Sequence, residues 1–125
     1  MRDEVVGGSA DLRDRTKAFA LLVIKLYGAL PKATVAQVLG RQLLRSGTSV
    51  GANYREAFRA RSDAEFVAKV GDCLKELDET AYWLELLSEA ALLPAERLIF
   101  LQDECNQLIA IFTTISKRVK SRARP

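Results

Sequence analysis

Histidine is absent from this sequence of 125 residues, which also contains only two cysteines and one tryptophan. The lack of histidine removes the most common general base, the most common zinc ligand and the Glu-x-x-His pattern of di-iron bundles. No stretch reaches the ~18 consecutive apolar residues that a membrane span requires. The amino terminus has acidic residues where a secretory signal peptide has a basic and then an apolar segment. We therefore expect a cytoplasmic, non-enzymatic protein that needs no metal or cofactor.

The two cysteines do not fit a disulfide. If Cys73 and Cys105 lie on adjacent antiparallel helices joined near Pro94, their depths differ by roughly nine residues, or ~13 Å. A disulfide requires Cα atoms within ~7 Å of each other. Both residues fall on apolar stripes, so we interpret them as small core residues rather than redox or metal-binding groups.

Apolar residues recur in alternating steps of four and three along four separate segments. This 3.5-residue repeat is typical of helices that pack along one face, and a β-strand does not produce it. The predicted core stripes are Leu12, Thr16, Phe19, Val23, Leu26 and Leu30; Leu39, Leu43, Ser46, Val50, Asn53 and Ala57; Phe66, Val70, Cys73, Leu77, Thr80, Leu84, Leu87 and Ala91; and Leu98, Leu101, Cys105, Leu108, Phe112, Ile115 and Val119.

Helix boundaries agree with these stripes. Two segment starts, Thr34–Gln37 and Ser62–Glu65, match the capping box that satisfies free N–H groups. Pro31 ends the first helix, and Pro94 suits the first turn of the fourth. Because the connections are short, neighbouring helices must run antiparallel. The sequence predicts an all-α, antiparallel up-down-up-down four-helix bundle over residues 11–121, with a flexible N-terminal tail (1–10) and a basic C-terminal tail (122–125).

The second segment has an unusual centre. Residues 46–53 contain serine, threonine and two glycines, and each glycine costs about 1 kcal/mol of helix stability relative to alanine. A loop is one interpretation. We favour a continuous helix whose small side chains let another helix approach closely, since the heptad phase continues through it.

The same segment carries a family resemblance. The run from Ser46 to Ala57, SGTSVGANYREA, is followed by Phe66 and by LKELDET from Leu74. Together they resemble the four-helix-bundle proteins encoded in intervening sequences of bacterial 23S ribosomal RNA genes, from about residue 11 onward. The most specific part is the small-residue run ending in Asn-x-x-Glu, here Asn53 and Glu56. The family usually continues with glycine, where this chain has Ala57.

This resemblance implies a bundle that assembles into a ring-like homopentamer. It also implies kinship with the accessory protein of diversity-generating retroelements, a basic pentamer that works with a reverse transcriptase and nucleic acid. For the rRNA-associated branch it implies no established biochemical activity. The expected partners are therefore further copies of the chain and RNA or a nucleic-acid–protein complex.

Positive charge is unevenly distributed. Residues 34–61 contain five arginines and one acid, whereas residues 62–93 contain two lysines and eight acids. The topology brings the start of the first helix (Arg13, Arg15 and Lys17) beside the ends of the second and fourth. Such a basic end attracts phosphate without sequence preference, although a solvated surface with dipole-favouring cations is the alternative. The candidate nucleic-acid-binding residues are Arg41, Arg45, Arg55, Arg59, Arg61, Lys117, Arg118, Lys120 and Arg122.

Four of these arginines, Arg41, Arg45, Arg55 and Arg59, form a row on the second helix away from its core stripe. They can bind the phosphates of a nucleic-acid backbone or pair with acids of a neighbouring helix or subunit, and both interpretations stay open. Asn53 and Glu56 are assigned structural roles. A buried amide on the core stripe fixes register or oligomer state, which we favour over ligand binding.

Apolar residues also exceed the core stripes. The additional ones are Leu21, Leu22, Ile24 and Tyr27; Tyr82, Trp83 and Leu86; and Ile99, Phe100, Ile109 and Ile111. A monomer would expose them, which indicates self-association. Two functional hypotheses follow. The first is a homo-oligomer whose basic end binds RNA, and the second is a protein scaffold whose arginines form intersubunit ion pairs.

Overall fold

A computed structural model describes residues 9–123 of the chain. It contains four helices, which confirms the predicted all-α bundle. They are α1 (Ser9–Gly28), α2 (Thr34–Phe58), α3 (Asp63–Glu89) and α4 (Ala95–Ala123).

The predicted tails coincide only partly with this description. Ser9 and Ala10 belong to α1, and Arg122 and Ala123 belong to α4, so each end of the bundle extends two residues beyond the prediction. The rest of both predicted tails, residues 1–8 and 124–125, lies outside the described residues.

Neighbouring helices run antiparallel, as their contacts show. Gly51 lies against Thr16 and Gly40 against Leu30, so α2 advances along α1 in the opposite direction. The pairs Ser46–Thr80 and Glu56–Lys69 establish the same relation for α2 and α3, and Leu77–Cys105 and Asp63–Arg122 for α3 and α4. The four helices therefore alternate up and down around one core.

The core stripes of α1 and α4 are buried at every predicted position, and that of α3 at all but the last. The exception, Ala91, is exposed and has a positive φ of 56°. Its N–H bonds to Ser88 O, and the N–H of Leu92 bonds to Leu87 O (3.0 and 3.1 Å). These two bonds close the carboxyl end of α3, which a left-handed residue commonly terminates.

The stripe of α2 is shifted by one residue at two positions. Leu39 and Asn53 are half-buried, and their neighbours Gly40 and Tyr54 are buried instead. Because α2 lies between α1 and α3, it buries a face wider than one heptad stripe. The prediction of a buried Asn53 is therefore wrong. The Tyr54 ring occupies the core, with its centroid 5.5 Å from that of Phe112.

The centre of α2, residues 46–53, is a continuous helix as predicted. A Cβ atom added to Gly47 would lie 2.8 Å from Cγ2 of Val23, so glycine is what lets α1 approach this closely. The hydroxyl groups of Thr48 and Ser49 donate to carbonyl groups one turn earlier, at 2.7 and 2.6 Å. The hydroxyl groups of this segment thus stay hydrogen-bonded within the helix.

One of the two predicted capping boxes is half formed, because the carboxylate of Glu65 accepts a hydrogen bond from the N–H of Arg61 rather than from that of Ser62. Ser62 Oγ accepts a hydrogen bond from the N–H of Glu65 at 3.1 Å. At the start of α2 the prediction is wrong, because Thr34 lies inside the helix and the cap residue, Ala33, makes no side-chain cap bond. Gln37 instead donates to a carbonyl of the α1–α2 connection at 2.9 Å, which holds that turn.

Packing around the bundle is uneven. Extensive contacts join α1 to α2, α2 to α3 and α3 to α4, whereas α4 meets α1 over a short stretch only. None of the helices in residues 9–123 combines the length and apolar character needed to cross a membrane. The uneven packing leaves one side of α1 more open than the other.

Candidate nucleic-acid interface

The structure brings the residues of the predicted basic end to the same end of the bundle. The guanidinium carbon of Arg13 lies 4.1 Å from the centroid of the Phe58 ring, which joins the start of α1 to the end of α2. Arg122 lies 3.6 Å from Asp63, which joins the end of α4 to the start of α3. The basic end comprises Arg13, Lys17, Arg55, Arg59, Arg61, Lys117, Arg118, Lys120 and Arg122, all of which except Arg13 are exposed.

A cleft of about 260 Å³ opens between α1 and α2 at the basic end. This α1–α2 cleft is lined by Arg13, Asp14, Arg55, Phe58 and Arg59. Arg13 is half-buried, and its Nε atom is shielded from solvent without a hydrogen-bond partner among the described residues. Within residues 9–123 none of the three arginines forms an ion pair. The lining therefore combines three uncompensated guanidinium groups with one carboxylate.

The arginine row of α2 is divided by the structure. Arg45 donates to the carboxylate of Glu76 at 3.2 Å and to that of Glu79, both on α3. Arg41 is exposed and has no ion pair in the described part of the chain. Arg45 thus holds α2 against α3, while the remaining arginines of the row leave their donors open to a ligand.

The two residues assigned structural roles differ in their contacts. Glu56 accepts a hydrogen bond from Lys69 at 2.7 Å, which links α2 to α3. This hydrogen bond, and then the charge of the carboxylate, raises the pKa of Lys69. Asn53 makes no side-chain hydrogen bond within residues 9–123. Its role in register or assembly stays a prediction, and that role requires a hydrogen-bond partner beyond residues 9–123 of the same chain.

Arg15 does not belong to the basic end, where sequence reasoning placed it. Its guanidinium donates to both carboxylate oxygens of Glu104 on α4, at 2.7 and 2.9 Å, and to Gln107 at 2.8 Å. The pair is partly buried, with 28% and 17% of the two side chains exposed. Opposite charges beside the core stripes of two antiparallel helices are the sequence signal that could have revealed this bridge.

The cysteines are free and buried, as predicted. Desolvation, followed by the charge of nearby carboxylates, raises the pKa of Cys73 and of Cys105 from 9.0 to about 12. Reactive thiolate is therefore scarce at neutral pH. Within residues 9–123 no three His, Cys, Asp or Glu side chains are grouped so that they could hold a metal ion. Both cysteines serve the packing of the interior.

Exposed apolar side chains lie on both α1 and α4. Leu21 and Phe100 are 57% and 63% exposed, and Ile24 and Ile99 are also exposed; we call these four residues the α1–α4 apolar surface. Of these four residues, Phe100 lines a groove of about 190 Å³ between α1 and α4, together with Leu22, Lys25, Leu26, Arg97 and Leu101. Other apolar residues predicted as excess are half-buried against the core, namely Leu22, Tyr27, Trp83, Ile109 and Ile111. The excess is thus smaller than predicted, and four of its exposed residues lie on α1 and α4.

The family model of 23S rRNA-intervening sequence proteins matches residues 10–114. The chain belongs to this family. A solved structure of the S23 ribosomal protein family from Bacteroides thetaiotaomicron VPI-5482, described as a protein with unknown function, is 37% identical to it. That likeness covers 94% of this chain and 99% of the other, with a TM-score of 0.79. No protein of curated function matches the chain.

In this 23S rRNA-intervening sequence protein, the run that carries the resemblance builds the carboxyl-terminal half of α2. Gly47 and Gly51 face α1, and Glu56 reaches α3. Ala57, which stands where the resemblance expects glycine, is completely buried. The run therefore shapes helix packing, and within it Arg55 is the residue that lines the α1–α2 cleft.

Proposed function

We propose that this 23S rRNA-intervening sequence protein is a non-enzymatic homo-oligomer, in the simplest case a pentamer, that binds RNA or other nucleic acid through its basic end. The observation that carries the proposal is the α1–α2 cleft, whose three arginines have no ion pair among the described residues. Elsewhere in the fold Arg15 is paired with Glu104 and Arg45 with Glu76. Uncompensated guanidinium groups repel one another, and an anionic partner relieves that repulsion.

The chemistry of the basic end favours the nucleic-acid backbone. Guanidinium groups match phosphate oxygens in a planar, two-pronged geometry, and these contacts carry no information about base sequence. Among the residues that line the cleft, Phe58 is the sole aromatic, and Arg13 already covers one face of its ring. Base stacking therefore contributes little, and we expect binding that tolerates any sequence.

Assembly would strengthen this binding. The α1–α4 apolar surface is of the kind that another chain covers, and the family resemblance implies a ring of five copies. A ring would repeat the basic end in every subunit. Several weak phosphate contacts would then act on one strand, which raises avidity without any new contact within a subunit.

A protein scaffold or accessory subunit without direct nucleic-acid binding is the alternative. Specific observations favour it, because Arg15, Arg45 and Arg122 all serve ion pairs within the fold. Under this alternative the arginines of the α1–α2 cleft pair with carboxylates of another subunit or protein.

Binding of labelled mixed-sequence RNA and DNA, followed by fluorescence anisotropy across a salt series, separates the two functions. For single strands the logarithm of affinity should fall with the logarithm of salt concentration, with a slope of about −0.7 per phosphate contact. A variant combining Arg55→Gln, Arg59→Gln, Lys117→Gln and Lys120→Gln should lose binding at low salt and keep its mass in light scattering.

The matched control is Glu85→Gln with Glu89→Gln near the other end of the bundle, which should bind as well as the parent. No binding of either nucleic acid at low salt would favour the scaffold. A stable monomer at micromolar concentration would contradict the oligomer.

A further inference from the structure

The α1–α2 cleft brings together arginines from two helices. Arg13 comes from the first turns of α1, whereas Arg55 and Arg59 come from the end of α2. Arg55 lies in the last turn of α2 and Arg59 is its C-cap residue, so both approach the cleft from α2, whereas Arg13 approaches it from α1. An anion in the cleft would therefore meet cations from two directions.

Phe58 determines where Arg13 lies. The guanidinium group sits over the ring face, with 4.1 Å between its central carbon and the ring centroid. Stacking of this kind fixes the plane of the guanidinium without using its N–H donors. The Nε donor of Arg13 is shielded from solvent and makes no hydrogen bond within residues 9–123. Arg13 is thus held in position, and its two terminal Nη groups, which make no hydrogen bond within residues 9–123, are the donors available to a ligand.

The contrast with Arg15 shows that this arrangement is local. Two residues further along α1, Arg15 donates to two oxygens of Glu104 and to Gln107. In the cleft the one lining carboxylate, Asp14, forms no ion pair with the three arginines. The cleft therefore keeps a net positive charge, whereas the bridge between α1 and α4 is neutralised.

The size of the cleft limits what it can hold. Its volume of about 260 Å³ lies below the ~300–1,000 Å³ typical of sites for drug-sized ligands. A single phosphate group with its adjoining atoms suits this volume better than a large cofactor.

We infer that the α1–α2 cleft is a discrete phosphate-binding site, in which Arg13, Arg55 and Arg59 hold one phosphodiester group of a polynucleotide and Phe58 positions Arg13. The inference rests on the proposed nucleic-acid binding. It adds that affinity is concentrated in this cleft rather than spread evenly over the basic end.

Phe58→Leu is the sharpest test, because it removes the aromatic face and changes no charge. RNA affinity at fixed low salt should fall at least about threefold, and Phe58→Tyr, which keeps the ring, should bind like the parent. Arg55→Gln combined with Arg59→Gln should lower affinity about tenfold or more and reduce the salt slope by about 0.7 per lost contact. The charge-matched control is Lys32→Gln combined with Lys75→Gln, two exposed cations outside both the cleft and the basic end, which should change affinity less than about twofold. Circular dichroism confirms that each variant is folded.

A second measurement separates the inference from the proposed function. Pyrophosphate is titrated into the labelled protein, and the Nε–H resonance of Arg13 is followed by NMR. If RNA binds but the Arg55–Arg59 variant loses no more affinity than its control, the cleft inference is overturned and general basic-end binding stands. If RNA does not bind but pyrophosphate shifts the Arg13 resonance only when Arg55 and Arg59 are present, the phosphate site stands and the polynucleotide function fails. If neither probe binds, both are overturned.

Discussion

The two flanks of α1 are packed in different ways. Toward α2, glycine replaces side-chain volume, and a Cβ atom at Gly47 would lie within 2.8 Å of Val23. Toward α4 the contact is short, a groove of about 190 Å³ remains, and Phe100 stays 63% exposed. A polar bridge from Arg15 to Glu104 spans this second flank.

The two flanks of α1 are therefore specified by different interactions. The flank toward α2, here called the closed flank, is specified by steric fit, since methyl groups of Val23 occupy the space that a side chain at Gly47 would need. The flank toward α4, here called the open flank, is held by the ion pair between Arg15 and Glu104. It leaves apolar surface at Phe100 that a further chain could cover. Helix α1 therefore completes the core on one side and offers surface for the proposed assembly on the other.

The largest effect is expected at the closed flank. Gly47→Val places a branched side chain against Val23 and should lower the free energy of unfolding by about 3 kcal/mol. The matched control is Gly71→Val, because an added Cβ at Gly71 meets nothing within 4 Å. It should change stability by less than about 0.5 kcal/mol. Urea unfolding at fixed protein concentration measures both. Equal effects in the two variants would show that α1 and α2 are not closely packed.

A smaller effect is expected at the open flank. Arg15→Gln leaves the partly buried carboxylate of Glu104 without its main partner and should lower the free energy of unfolding by about 1–2 kcal/mol. Glu104→Gln and the double variant complete a thermodynamic cycle, in which we expect about 1 kcal/mol of coupling. A coupling near zero would mean that the bridge does not hold the open flank.

The free energy of unfolding should also depend on alkaline pH, because two cysteines are buried in the core. Burial raises the pKa of Cys73 and Cys105 to about 12, whereas unfolded thiols titrate near 9.0. Between these values the unfolded chain has released protons that the folded chain retains, so stability is unchanged below about pH 9 and falls as pH rises above it. Chemical unfolding from pH 8 to 10.5 measures the effect. The Cys73→Ala, Cys105→Ala variant should show a shallower decline, and an identical decline would exclude the thiols as its cause.

The smallest effect on folding is expected for Phe100→Ser. Removing an exposed side chain should change the free energy of unfolding by less than about 0.5 kcal/mol, yet it should lower the mass measured by light scattering. Tyr82→Ser, at an exposed aromatic on α3, is the control and should leave the mass unchanged. If Tyr82→Ser lowers the mass and Phe100→Ser does not, the association surface lies on α3 and not on the open flank.

Much of the fold was predictable because the spacing of apolar residues is a local property of the sequence. Burial of one helix face requires apolar residues in steps of three and four, and every position that this rule predicted in α1 and α4 is buried, although it missed the buried Ser116 of α4. It was less accurate in α2, where Tyr54 rather than Asn53 is buried. A helix with neighbours on two sides buries more than one stripe, and its exact phase depends on both neighbours. The candidate site was predicted in part, since Arg55 and Arg59 were expected at the basic end while the role of Phe58 was not.

The sequence by itself determined the four helices, their antiparallel order, the family and the clustering of charge, because each depends on spacing and composition along the chain. The tertiary structure alone decided which cations are paired. Arg15 and Arg13 are two residues apart and chemically identical, yet one meets Glu104 and the other the face of Phe58. Pairing depends on distances of a few ångströms between side chains from different helices, and those distances exist only once the helices have packed.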